Sequence, residues 1–312
     1  MAITRLHTLY GVNLDTVATQ LFINQISAFN IDTAIEEIIE AGDGSVDPTF
    51  AAVSKQNAKI GWTTSKIASV LAAVGIGGLK IDTQTTPLRE GVEFWLQKIA
   101  EGGTRASGAT HLKLTAKKGM VFTRQISADI EKLATMTMEA IATWDGINNP
   151  FIIADNQALE GTLGSNEGFV VGKVTINGVT LEGVQDITID LGVQEIVASG
   201  DGEVWPTFAA IQSRRPTITV KTTDAISLNT FGLSGTKRTA STILYLRKVD
   251  EGGSRVADAT AQHISFAVNE GRISVNSIDA NDGDLANAEI KITPTYDGTN
   301  DILVINTATA II

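Results

Sequence analysis

The sequence predicts a mainly β protein with one helix per domain, arranged as two tandem homologous β-sandwich or barrel domains, residues 1–157 and 158–312. Three observations predict it: a long segment that recurs at fixed spacing, runs of period-two alternation, and one capped helical run at the matching place in each copy. The segment Gly42-Asp43-Gly44-Ser45-Val46-Asp47-Pro48-Thr49-Phe50-Ala51-Ala52-Val53 reappears as Gly200-Asp201-Gly202-Glu203-Val204-Trp205-Pro206-Thr207-Phe208-Ala209-Ala210-Ile211, identical at nine of twelve positions with an offset of 158. Further on, Glu101-Gly102-Gly103-Thr104-Arg105 matches Glu251-Gly252-Gly253-Ser254-Arg255 at offset 150, and His111, Gly119 and Trp144-Asp145-Gly146 match His263, Gly271 and Tyr296-Asp297-Gly298 at offset 152. Order is kept while offsets drift by a few residues, the mark of a duplicated domain and not of a short-repeat solenoid. Each copy, at half of 312 residues, is long enough to bury a core of its own. The seam falls between Phe151-Ile152-Ile153 and Val174, where residues 154–172 have the glycine-rich composition of an exposed linker.

Strands are clearest in the second copy. In residues 186–191, 217–221 and 288–293, apolar side chains alternate with polar ones, so each strand has one buried and one wet face. Residues 263–268, then Asn269-Glu270-Gly271, then 272–275 read as a hairpin, with residues 112–126 its equivalent in the first copy. Thr64-Ser65 followed by residues 66–74 and Gly75 reads as a capped helix with a glycine stop. Thr223-Asp224 through Phe231 and Gly232 occupies the matching place, with a better cap and poorer helix formers.

Composition narrows the chemistry. There is no cysteine, which removes disulfides, thiolate metal sites and a cysteine nucleophile. The amino terminus carries no apolar run of the secretory kind, and the longest apolar stretch, residues 70–81, falls short of the ~20 residues a membrane helix requires; the chain reads as soluble. Net charge is −11, and it is uneven: residues 1–157 hold 13 Lys and Arg against 16 Asp and Glu, the remainder 11 against 19. Such a chain repels nucleic acid, because gripping phosphate takes clustered cations.

Candidate reaction centres are sparse. Of the three histidines, His111 and His263 are repeat partners on a predicted strand with no second histidine nearby, and no Ser-His-Asp set can be assembled. Asp279-Ala280-Asn281-Asp282-Gly283-Asp284 departs from the EF-hand order and reads as a solvated turn. Gly168-Phe169-Val170-Val171-Gly172-Lys173 is one residue short of a phosphate loop. The expectation is therefore a chain without enzymatic activity, cofactor or metal. For the twin Gly-Asp-Gly turns two readings stand: a tight turn with Phe50 or Phe208 anchored in the core, or a loop docked on a neighbouring subunit.

The strand at 184–191, the turn at 195–202, the strand at 217–221, the helix from Asp224, and the hairpin and last strand up to Tyr296 resemble, in order and pattern over nearly the whole chain, the duplicated kind of tail tube protein of long-tailed bacteriophages. The resemblance implies a β-sandwich with a flanking helix, and stacked rings whose inner sheets close into a tube for DNA ejection. Six domains per ring then mean three duplicated chains in a pseudo-hexameric ring. It further implies tail terminator, tape measure and baseplate proteins as partners, DNA that passes without specific binding, no membrane, and a place in the virion tail after assembly in the host cytoplasm. Elementary physics fits: ring closure removes the unpaired edges of an open sheet, and Asp186, Asp190 and Glu289, as candidate lumen-facing carboxylates, would repel phosphate. The candidate inter-ring or inter-subunit loops hold Glu101, Gly102, Gly103 and Arg105, then Glu251, Gly252, Gly253 and Arg255, with Asp43 and Asp201 in the twin turns. A repeated-domain adhesin or a capsid-decoration protein is the alternative, separated by particle size in solution; a carbohydrate-acting enzyme would need paired carboxylates at a catalytic spacing that nothing here marks.

Overall fold

Alternating apolar side chains need a second layer to cover them, and the fold supplies it with antiparallel sheets. A computed structural model describes residues 6–15, 20–42, 47–82, 91–100, 102–159, 165–200, 202–224, 227–280 and 286–312. The first part of the chain runs through β1 (Leu6–Asp15), β2 (Gln20–Ile23), β3 (Ile26–Asp32), β4 (Ile35–Glu40), β5 (Phe50–Gln56), β6 (Lys59–Thr64), α1 (Ile67–Val74), β7 (Leu79–Asp82), β8 (Val92–Ile99), β9 (His111–Ala116), β10 (Lys118–Asp129), β11 (Thr135–Ala142) and β12 (Phe151–Gln157). The second runs through β13 (Phe169–Ile176), β14 (Val179–Leu181), β15 (Val184–Asp190), β16 (Val193–Ala198), β17 (Phe208–Arg214), β18 (Thr217–Thr222), α2 (Leu228–Phe231), β19 (Thr236–Lys237), β20 (Ile243–Lys248), β21 (His263–Ala267), β22 (Gly271–Asp279), β23 (Asn287–Pro294) and β24 (Val304–Thr309).

The element order of the first part recurs in the second, and so do the pairings. One five-stranded sheet has the order β12-β9-β8-β1-β2, the other β24-β21-β20-β13-β14. Between them runs a ten-stranded sheet, β19-β22-β23-β18-β15-β10-β11-β6-β3 with β7 on β10. Its continuity across the two parts rests on one seam, β15 antiparallel to β10, from Gln125 opposite Asp190 to Asp129 opposite Asp186. Two two-stranded arms, β4-β5 and β16-β17, stand apart from these sheets. The layers close face to face: Trp62 of β6 meets Phe94 of β8 edge-on at 5.3 Å between ring centroids, and Phe29 of β3 tilts onto the same Phe94 at 5.3 Å. Buried side chains from both parts form one contiguous core.

Several sequence expectations change here. The hairpin expected at 263–275 does not form: β21 pairs with β20 and β24, and β22 with β23 and β19, so the chain crosses from one sheet to another. Residues 112–126 do the same, since β9 and β10 lie in different sheets. Alternation is identical for a hairpin and a crossing, and the decisive residue is the glycine. Gly119 at φ +135° and Gly271 at φ +156° lie so close to the next strand that a Cβ would meet the Ile141 or Thr293 carbonyl oxygen, at 1.9 and 2.6 Å.

The linker is also shorter than 154–172, because β12 continues to Gln157 and β13 begins at Phe169. Part of it is structural. Glu167 is buried, and its carboxylate accepts from the Ala68 N–H (2.9 Å) and the Ser69 N–H (3.2 Å), capping α1 where no local side chain does so. Thr64 instead accepts the Lys66 N–H at 3.0 Å, and Ser65 makes no capping bond. The helix expected from Asp224 shrinks to the single turn of α2, with Asp224 accepting from the Ser227 N–H at 3.2 Å and the Ser227 hydroxyl at 2.6 Å.

Candidate assembly interface

The twin Gly-Asp-Gly segments fall in sequence between β4 and β5 and between β16 and β17. Phe50 and Phe208 are not core anchors: both are 54% exposed, because each arm leaves its sheet instead of folding back into it. Asp43 and Asp201 lie outside the described residues. The arms share their geometry: the Thr49 N–H donates to the Glu40 carbonyl as the Thr207 N–H donates to the Ala198 carbonyl, each at 2.9 Å.

Their surroundings differ. Arm β16-β17 lies across β10 and the loop after α1. The Arg124 Nη1 donates to the Val193 carbonyl at 2.7 Å, the Arg214 Nη1 to the Ile76 carbonyl at 3.1 Å, and Ile211 packs beside Gly78. At its turn the Gln56 N–H donates to the Val204 carbonyl at 2.9 Å, the Trp205 Nε1 to the Gln56 Oε1 at 3.0 Å, and the Trp144 N–H to the Pro206 carbonyl at 2.7 Å, with Trp144 and Trp205 rings 6.3 Å apart. A cleft of about 960 Å³ remains beneath the arm, lined among others by Gly78, Lys118, Phe208, Arg214 and Tyr296.

Four charges close the contact. Glu195 meets Lys59 at 2.5 Å and Arg124 at 3.0 Å, while Arg124 also holds Glu139 at 2.9 Å and Lys59 lies 3.7 Å from Glu139. Burial alone would push the Glu195 carboxyl up, but the Lys59 hydrogen bond and the Arg124 charge outweigh it and hold the group below the ordinary glutamate value. Burial would likewise lower the Arg124 guanidinium, and its bonds to Glu139 and Glu195 raise it further still.

Arm β4-β5 has no such platform among the described residues. Position by position at offset 158, the face that packs in the second arm is bare in the first: Val193 is buried while Ile35 is 48% exposed, Val197 and Ile211 pack on the core while Ile39 and Val53 stand in water. A lone two-stranded arm is marginal in water, and each of these aliphatic side chains forgoes on the order of 1 kcal/mol by staying half exposed.

The carboxylates expected on a wet face do share one. Asp186 and Asp190 alternate with buried Ile187 and Ile189 on β15, and Glu289 alternates with buried Ala288 and Ile290 on β23. Lys221 stands directly between Asp186 and Glu289 across the strands, while Asp190 lies between Gln125 and Thr217. The glycine loops connect paired strands, β8 to β9 and β20 to β21. Gly102, Gly103, Arg105, Glu251, Gly252, Gly253 and Arg255 are exposed, with the two arginines bridged to Ile99 and Val249; Glu101 lies outside the described residues.

Groups that could carry chemistry are used structurally. His111 and His263 each accept a backbone N–H, from Lys98 and Lys248, at 3.0 Å through Nδ1. Buried Glu93 holds Lys113 at 2.8 Å and Asn13 at 3.2 Å. Residues 281–285 of the acidic turn lie outside the described residues. No helix is long and apolar enough to cross a membrane among the described residues. Sequence reasoning missed the four-charge cluster, although Glu37 and Glu195 stand at the same 158 offset just before the segment it used. No protein-family model matches the chain, and no curated protein matches it either.

Proposed function

We propose that this chain is the structural subunit of a bacteriophage tail tube: two homologous tube domains, 1–157 and 158–312, with three chains closing into a pseudo-hexameric ring and rings stacking into the conduit for DNA ejection. One observation carries the reading. The second part of the chain adds β15 to the β10 edge of the first, and among the described residues the same two edges are left open at the ends of the sheet, on β3 and on the distal half of β22. A contact that joins unlike edges head to tail repeats until it closes or becomes a fibre. An open ten-stranded sheet in water is a template for uncontrolled pairing, and ring closure removes it.

In this ring the polar face with Asp186, Asp190 and Glu289 faces the bore, where carboxylates that flank Lys221 and are set among Thr, Ser and Gln side chains keep passing phosphates from adhering. The loops with Gly102, Gly103 and Arg105, and with Gly252, Gly253 and Arg255, project as contacts between successive rings. Negative-stain images of concentrated protein test the reading: closed six-lobed rings and stacks of them are expected, and single particles or unclosed fibres would refute it.

A further inference from the structure

The ends of the chain present counterparts of the groups paired at its middle, with Asn276 donating to Glu289 at 2.6 Å where Arg124 holds Glu139 and Glu195. Where Glu195 meets Arg124, Lys59 and Glu139, the corresponding positions are Glu37 on arm β4-β5 and Asn276, Thr217 and Lys291 on the second part. The correspondence is structural as well as numerical. Arg124 and Asn276 each sit at the bulge of their strand, between Thr123 and Gln125 and between Val275 and Ser277. Glu139 lies opposite Phe122 and Gly61, and Lys291 opposite Ser274 and Thr219, which are the same repeat positions. Neither Glu37 nor Lys291 has an ion-pair partner among the described residues.

Resting on the ring reading above, we propose that arm β4-β5 of one chain docks on β22 and β23 of a second copy, with Glu37 paired to Lys291 as the electrostatic key of the chain-to-chain contact. The net charge balances in both places: two cations and two carboxylates inside the chain, one of each between chains. The rest of the arm agrees in sign. Glu36 and Glu40 replace Gln194 and Ala198, making this arm more acidic than its partner, while on the receiving strands Arg272 replaces Met120 and the added carboxylate, Glu289 in place of Thr137, is held by Asn276 and lies opposite Lys221. The apolar counterparts are waiting too. Ile278 is 49% exposed where Ile126 is buried, and Leu233 is 76% exposed where Ile76 packs against the core. The occupant is therefore another copy of this chain, because the surface that completes the arm is a variant of the one that completes arm β16-β17.

The chain-to-chain contact therefore has a single ion pair beside its apolar side chains and is more salt-sensitive than the internal one, which is clamped by four charges. The test is charge exchange in the full chain, read by sedimentation velocity over a concentration series at low and high salt. Glu37→Lys and Lys291→Glu singly should each weaken association by about tenfold or more, and the double exchange should restore most of it. Circular dichroism of each variant should stay that of the wild type, since Glu37 is exposed and Lys291 half-exposed on the wet face of its strand in the single chain. Wild-type chains that associate equally well with either single exchange, or a double exchange that fails to rescue, would overturn the pairing while leaving the ring intact. Wild-type chains that stay monomeric at every concentration and salt would remove the ring reading and this pairing together.

Discussion

Arm β16-β17 and arm β4-β5 have nearly the same sequence pattern and the same internal hydrogen bonds, yet one is half-buried and the other is almost wholly exposed. The difference lies in what stands beneath them. The first finds Phe122, Gly78 and Arg124 of its own chain, and Arg124 reaches over the Phe122 ring at 4.9 Å while holding two carboxylates. Among the described residues the second has only the contact of Gln56, at its base, with Val204 and Trp205. Burial of an amphipathic arm is thus decided by its partner and not by the arm itself.

The largest contrast should come from one substitution made at both ends of the repeat. Ile126→Asp places a carboxylate in the seam beside β15 and should cost on the order of 4 kcal/mol of stability in urea unfolding. Ile278→Asp should stay within about 0.5 kcal/mol in the monomer and abolish association instead. Equal destabilisation by the two would mean that the seam and the free edge are not equivalent.

A smaller effect is expected from Arg124→Ala, which leaves Glu139 and Glu195 with Lys59 alone. With all four groups only partly exposed, a loss of about 1–3 kcal/mol is expected, against no measurable loss for Asn276→Ala, where the repeat has no guanidinium. Urea titrations of both variants decide it.

Much of this was readable beforehand, for physical reasons. Period-two alternation is imposed by burial of one face, so β15, β18 and β23 were visible in residues 186–191, 217–221 and 288–293. Non-local partners leave no such trace. The α1 cap comes from Glu167, a separation of 99 residues from Ala68; the crossings at Gly119 and Gly271 alternate just as a hairpin would; and Phe50 and Phe208 look like core residues although the arms that carry them leave both 54% exposed. The junction charges were legible only as departures from the repeat, Glu139 becoming Lys291 and Arg124 becoming Asn276.

The acid dependence of the internal arm is the next sharpening. A carboxyl held below its ordinary value stabilises the fold fully above the unfolded-state value of about 4.3, and that contribution disappears as pH falls through the depressed folded-state value. Glu195→Gln should therefore be less stable than wild type at pH 7, and the gap should close in acid as Glu195 of the wild type is protonated. A gap independent of pH would assign the loss to packing. The smallest effect is expected for Leu233→Ser, which should leave the urea midpoint of the monomer unchanged within about 0.5 kcal/mol, since the side chain stands in water in the single chain, and should weaken association by less than Ile278→Asp, since no charge is placed in the contact.

The central claim, that the internal seam is copied between chains, can be read from a cross-link, because the chain has no cysteine of its own. Gln125 lies opposite Asp190 in the seam, and the same repeat positions at the open edges are Ser277 and Asp32. A chain carrying Asp32→Cys and Ser277→Cys should, on mild oxidation of dilute assembled protein, give a covalent species of three chains that runs as a closed ring in denaturing gels. Directly opposed strand residues lie about 5.5 Å apart at Cα, within disulfide reach. An uncross-linked monomer from assembled protein, or an open ladder of dimers, trimers and longer chains, would contradict the copied seam.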